Sequence, residues 1–207
     1  MFHKSLYEHA PGTINNDRRI CPIASPRRRG PHQFFDWGYP PGTNLRPMSK
    51  EQQVSDFLKG RYIAGIATEN DDGSIHQVSV WYVHRDGKLY VGSNSGSRKV
   101  RNIRARPRAG LIIDSRRSTK ECGASTYGTA RIIEGDESKA LNTLIRERYL
   151  TKAGNEDQRV GPVFAAFDDI TIEITPGRWT WWDCAVLDAT VFGGAIGDNQ
   201  YILPLDG

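Results

Sequence analysis

From Ser49 onward, apolar residues recur with two different periods, and these predict the elements of the chain. Val54, Phe57 and Leu58 form a short helical stripe behind Ser49-Lys50-Glu51-Gln52, the pattern of a capping box, and Gly60 closes it. Tyr62 to Thr68 reads as a strand, and Asn70-Asp71-Asp72-Gly73 is a turn by composition. Between Ile75 and Val83 the period is two, with Val78, Val80 and Tyr82 on one face and Gln77, Ser79 and Trp81 on the other. Asp86-Gly87 is a hairpin turn leading into a strand from Lys88 to Ser93. Ser97 opens a short helix ending near Arg104, before Pro107. Two more strands run from Ala109 to Asp114 and from Ser125 to Ile133. Asp136 to Lys152 is the longest helix, with Ala140, Leu141, Leu144, Ile145 and Tyr149 on one face. A polar loop covers 154–162. The alternation of Ile170, Ile172 and Ile174 marks a sixth strand from Asp169 to Thr175.

The short turns call for antiparallel pairing, and the helices that a doubly wound parallel sheet needs between its strands are missing. The expected fold is mainly β with flanking helices (α+β), a six-stranded antiparallel sheet closed into a small barrel. The chain divides into three regions: a basic, proline-rich tail over 1–47, a folded body over 48–185, and a loose segment over 186–207 that contains Gly193-Gly194.

Composition sharpens this division. The chain has 207 residues, 38% of them apolar, and no apolar run of eighteen, so no transmembrane helix is expected. Residues 1–47 hold seven of the eleven prolines and seven Lys/Arg against three Asp/Glu, and are expected to be disordered or draped over the body. Phe34, Phe35, Trp37 and Tyr39 could dock there, and Met48 offers an alternative start of translation. The whole chain has 28 Lys/Arg and 24 Asp/Glu, so the body is neutral, which argues against nucleic acid as its partner. Cys21, Cys122 and Cys184 have no metal-knuckle spacing and are odd in number, which fits a reducing cytoplasm. No secretory signal is visible.

Most catalytic signatures are absent. There is no HExxH, GxSxG, GxGxxG or P-loop, and no metal site is expected. In the body, the histidines are His76 and His84, both read as strand-end residues. The informative stretch is Gly92-Ser93-Asn94-Ser95-Gly96-Ser97-Arg98-Lys99. Small residues admit a ligand to the backbone, Ser97 opens a helix whose first N–H groups are free, and two cations stand in its first turn, where the helix dipole disfavours them unless an anion binds. Together they make a phosphate cradle, weighed evenly against a solvated basic helix.

This block, with Asn102-Ile103-Arg104-Ala105-Arg106-Pro107-Arg108-Ala109 after it, resembles the pyridoxamine 5'-phosphate oxidase-like superfamily. The resemblance spans roughly residues 50–182 and takes in Gly128-Thr129-Ala130-Arg131. It implies an FMN-binding split barrel that forms a homodimer with the cofactor at the subunit interface. It implies that Gln77, Val78, Ser79, Val80, Trp81 and Tyr82 line the flavin ring. It implies further that Ser93, Arg98 and Lys99 hold the phosphate, with Ser97 and Asn102 of the same block completing the cofactor-binding set. The expected activity is an FMN-dependent oxidoreductase acting on a small organic substrate. A related branch uses the deazaflavin coenzyme F-420, and the eight Lys/Arg between Arg98 and Arg117 suit its more anionic tail. The Arg- and His-rich C-terminus of true pyridoxamine phosphate oxidases is replaced by Thr175-Pro176-Gly177-Arg178-Trp179-Thr180-Trp181-Trp182, so a vitamin B6 substrate is not expected. These tryptophans are dimer core or a wall over the ring. A haem-binding barrel with His76 or His84 as ligand, and a non-catalytic member whose basic tail recruits an acidic partner, are the alternatives.

Overall fold

The computed structural model describes residues 48–115, 121–197 and 201. The expectations for residues 1–47, including Cys21, and for Arg116 and Arg117 fall outside these. Helix α1 (Lys50–Leu58) starts where expected, with the Ser49 hydroxyl accepting from the Gln52 amide at 3.2 Å. The reciprocal half of the capping box does not form, because the Gln52 side chain turns to Asp56 instead. Strands β1 (Ala64–Glu69) and β2 (Ile75–Val80) pair across the turn at Gly73, whose φ of 80° requires glycine. Strands β3 (Val83–Arg85) and β4 (Lys88–Ser93) flank Asp86-Gly87, both left-handed at φ 51° and 72°, as a two-residue hairpin demands. Helix α2 (Arg98–Ala105) then leads into β5 (Arg108–Asp114) and β6 (Cys122–Ile133). Helices α3 (Gly135–Tyr149), α4 (Lys152–Glu156) and α5 (Gly161–Phe167) precede β7 (Ile170–Asp183).

All pairings are antiparallel, in the order β2-β1-β5-β6-β7-β4-β3. The edge strands β2 and β3 are joined by Trp81 and Tyr82 alone. Three Cα steps reach at most about 11 Å, whereas seven flat strands would hold the edges about 29 Å apart. The sheet must therefore curl until its edges nearly meet, which is the split barrel. Among the described residues the strand count is seven rather than six. The expected strand from Ile75 to Val83 leaves β1 at Trp81 and joins β4 at Val83, so one apolar alternation serves two edges.

Inward residues of every long strand fill the barrel, among them Ile66, Leu89, Val91, Leu111, Ile113, Ile172 and Ile174, closed at one end by Val54 and Leu58 of α1. Full burial of each such side chain contributes about 1.5–3 kcal/mol. Strands β4 and β7 are buried on their outer faces too, under α3, where Leu141 and Ile145 pack on Tyr90 and Ile133. Ala140 and Leu144, expected on that face, are exposed, and Ser138 and Asn142 take their place. The register sets Tyr90, Glu173 and Arg131 side by side on this outer face. Arg131 clasps buried Glu173 with two hydrogen bonds of 2.6 and 2.8 Å, and Lys88 adds a third at 3.1 Å.

After β7 come α6 (Cys184–Leu187) and a π-helical turn, Asp188–Phe192, so the first described residues of the segment expected to be loose from 186 onward are helical. Buried Asp188 anchors the residues after that turn by accepting from the amides of Ile196 and Gly197 at 2.9 and 2.7 Å. Among the described residues no helix is long and apolar enough to cross a membrane.

Candidate functional site

A groove of about 890 Å³ opens where β2, β4 and β5 end and α2 begins, with α5 along one side. Its aromatic wall is built by Trp81, whose ring leaves the barrel at the β2–β3 break. Trp81 is stacked between Tyr149 of α3 (centroids 5.0 Å, 7° between planes) and Phe164 of α5 (5.0 Å, 22°). Tyr149 is itself fixed by donating its hydroxyl proton to the Tyr62 carbonyl at 2.6 Å. The wall is therefore stiff before any ligand arrives.

The opposite side is polar. Ser93 and Asn94 end β4, and Lys99 reaches in from the first turn of α2. Lys99 is half-buried and makes no hydrogen bond or ion pair among the described residues. Burial pushes its ammonium below the ordinary lysine value, with nearby Asp168 pulling the other way. Burial likewise raises the Asp168 carboxyl, against the pull of Arg146 and Lys99. Asp168 lies against the backbone of Gly92, where an added Cβ would be 3.1 Å from its Cγ and Oδ2 and from Asn142 Oδ1. Glycine at 92 is thus what lets α3 and the α5–β7 junction close on the strand. Asn142 secures that junction, its amide donating to the carbonyls of Asp168 (2.8 Å) and Ile170 (3.1 Å).

Most of the residues expected at the site line three depressions, and Tyr82 and Ser97 line none of them. Ser79, Val80, Trp81, Ser93 and Lys99 line the groove. Gln77, Val78 and Ser79 line a smaller depression that shares Ile63 and Asp114 with it. Arg98 and Asn102 face away, into a depression beside the β1–β2 turn. Asn102 is buried there and donates to Thr68 Oγ1 and Asn70 Oδ1 at 3.1 and 2.9 Å, which ties α2 to β1. Arg98 and Lys99 are about 100° apart on α2, and Lys99 lines the groove while Arg98 lines the other depression. Ser97 occupies the N-cap position, but its hydroxyl shares a hydrogen bond with Ser93 at 3.1 Å instead of capping. Tyr82 is fully enclosed in the barrel core, and burial pushes its phenol well above the ordinary range.

The groove also contains residues outside the expected set. Phe164, Phe167 and Asp168 come from α5 and its C-terminal junction, and Arg61 from the link into β1. The signal for α5 was present as Gly161-Pro162 before an apolar run, since proline suits a first helical turn. None of Trp179, Trp181 and Trp182 lines the groove. Trp181 packs edge-on against Phe57 (5.2 Å, 65°), and Trp182 covers Gly123. His76 and His84 do not line it either, and among the described residues no three His, Cys, Asp or Glu side chains are grouped to hold a metal ion.

Comparison with known proteins places this architecture. The family model described as pyridoxamine 5'-phosphate oxidase matches residues 51–182. Among solved structures, the conserved hypothetical protein Rv2991 of Mycobacterium tuberculosis is 24% identical, with a TM-score of 0.56 over 70% of this chain and 92% of that one. A Bacteroides thetaiotaomicron protein provisionally assigned to 5-nitroimidazole antibiotic resistance is 12% identical, with a TM-score of 0.51 over 65% and 84%. An F420 reductase is 20% identical, with a TM-score of 0.48 over 61% and 95%. No curated protein sequence matches the chain.

Proposed function

The chain belongs to the pyridoxamine 5'-phosphate oxidase family, and from that membership and its groove we propose that it is an FMN-dependent oxidoreductase acting on a small organic substrate. The observation that carries this reading is Lys99, a half-buried cation without a partner among the described residues, facing a groove whose far wall is a fixed aromatic stack. A desolvated, unpaired ammonium is completed by an anion, and a stiff aromatic face suits a planar ring. The donor set therefore fits a phosphorylated flavin. Lys99 would take the phosphate beside Ser93, while Ser79, Val80 and Trp81 would flank the ring. FMN, when bound, supplies the hydride chemistry, and the protein binds, orients and excludes water.

Among the described residues the charges lining the groove balance, Arg61 and Lys99 against Asp114 and Asp168. That balance favours one phosphate over the longer anionic tail of F-420. Ile63 and Phe167 line the groove and Ile112 lines the adjoining depression, at 48%, 63% and 39% exposure. In this reading a second copy of the chain covers them and closes the site as a cytoplasmic homodimer.

The purified full-length protein, titrated with FMN, F-420 and haem and followed by absorbance and fluorescence, tests the proposal. Stoichiometric FMN binding by a dimer in sedimentation supports it. Preference for F-420 replaces the cofactor and keeps the class, and failure to bind either overturns it.

A further inference from the structure

Two adjacent carboxylates at the α5–β7 junction have opposite surroundings. Asp169 is satisfied: it accepts from the Ser95 amide at 2.6 Å and the Ser95 hydroxyl at 2.5 Å, pinning the β4–α2 turn. Asp168 is held only by its backbone. Its N–H donates to the Phe164 carbonyl at 3.1 Å, and its carbonyl accepts from Asn142 at 2.8 Å. The half-buried carboxylate itself takes no hydrogen bond and no ion pair among the described residues. Arg146, one of the two cations that act on it through space, turns its guanidinium to Thr143 instead, at 2.9 Å. Lys99, the other, is equally unpartnered among the described residues across the same groove.

A carboxylate fixed at its backbone, partly stripped of water and left without a donor is an incomplete site. Two opposite charges that influence each other without meeting leave room for a molecule that offers an anion to one and an uncharged donor to the other. A phosphorylated polyol carries those groups in adjoining positions.

We propose that Asp168 binds the cofactor by accepting a hydrogen bond from a ribityl hydroxyl, next to the phosphate taken by Lys99. This rests on the flavin reading above. The cofactor has a second kind of uncharged donor, the ring imide N–H, and the test separates the two.

Full-length wild type, Asp168→Ala, Asp168→Asn and Lys99→Met are titrated with FMN, riboflavin and lumiflavin, by quenching of flavin fluorescence at neutral pH. Riboflavin lacks the phosphate, and lumiflavin lacks the ribityl chain as well. Asp168→Ala weakens FMN and riboflavin by about tenfold each and leaves lumiflavin unchanged, as expected for a hydrogen bond to a charged acceptor. Asp168→Asn, which keeps an acceptor oxygen, falls between Ala and wild type. Lys99→Met weakens FMN alone. Unchanged riboflavin affinity in Asp168→Ala overturns the inference, and so does an equal loss with lumiflavin, which would place the contact on the ring or reveal a collapsed groove. A wild type that binds neither these flavins nor F-420 overturns the flavin reading itself. If the wild type takes only F-420, the same comparison is made with the ribityl-bearing and ring-only deazaflavins.

Discussion

Replacing Asn142 by alanine removes a side chain that is 1% exposed and holds α3, α5 and β7 together at the groove. Its amide serves the carbonyls of Asp168 and Ile170, and its Oδ1 accepts from Thr171 Oγ1 at 2.9 Å. Thr171 keeps other partners, the Ser138 hydroxyl at 2.9 Å and the Ser138 carbonyl at 3.2 Å, so its hydroxyl is not orphaned. The Ile170 carbonyl loses this donor in a buried position, which costs about 1–3 kcal/mol, while the Asp168 carbonyl is partly exposed and recovers a water. With a small cavity term added, the expected loss is about 3 kcal/mol, or about 10 °C in melting temperature for a domain of this size. Urea unfolding followed by circular dichroism measures it as a lower midpoint with unchanged slope. Asn142→Asp sharpens the test, because it sets a second acceptor against two carbonyls and at neutral pH must be worse than alanine. A loss below about 1 kcal/mol in Asn142→Ala, or a milder effect of Asp than of Ala, would refute the donor argument.

Three further outcomes are expected. Lys99→Met weakens FMN by about tenfold or more in a fluorescence titration, yet leaves the melting temperature of the cofactor-free protein equal or higher, because it removes a half-buried unpaired charge. His84 is half-buried, and burial, helped by Arg148, lowers its pKa below the ordinary 6.5. The unfolded chain then takes up the proton first, so stability falls as pH drops below about 6.5, and His84→Gln flattens that fall in thermal melts across pH. The Arg131 guanidinium beside Glu173, with Lys88 adding to it, holds its carboxyl below the ordinary 4.5. That stabilisation is present above pH 4.5 and lost as pH falls through the depressed value, so Glu173→Gln is destabilised at neutral pH and loses less than wild type on acidification.

Local chemistry determined much of this protein in advance. Period-two alternation, the Asp86-Gly87 turn and the Ser49 cap depend on neighbours within a few residues, and the hairpin and α1 lie where those signals put them, while the last strand starts as expected but runs on through the tryptophans to Asp183. The polar turn before α2 was legible in the same way, and Lys99 does enter the groove. What the pattern could not decide was partnership across the chain. One alternation from Ile75 to Val83 cannot say that its halves belong to opposite edges, because the break at Trp81 serves sheet closure and not local propensity. Asn102 and Arg98 carry donors suited to a ligand, but which way each points depends on how α2 is turned on β1, and that is set by Val100 and Ile103 packing into the barrel. Asp168 looks like any loop acid in sequence. Only the approach of α3 and α5 to a strand with no side chain at Gly92 brings it half-buried into the groove, without a donor among the described residues, since burial and pairing arise from surfaces that meet only in the folded chain.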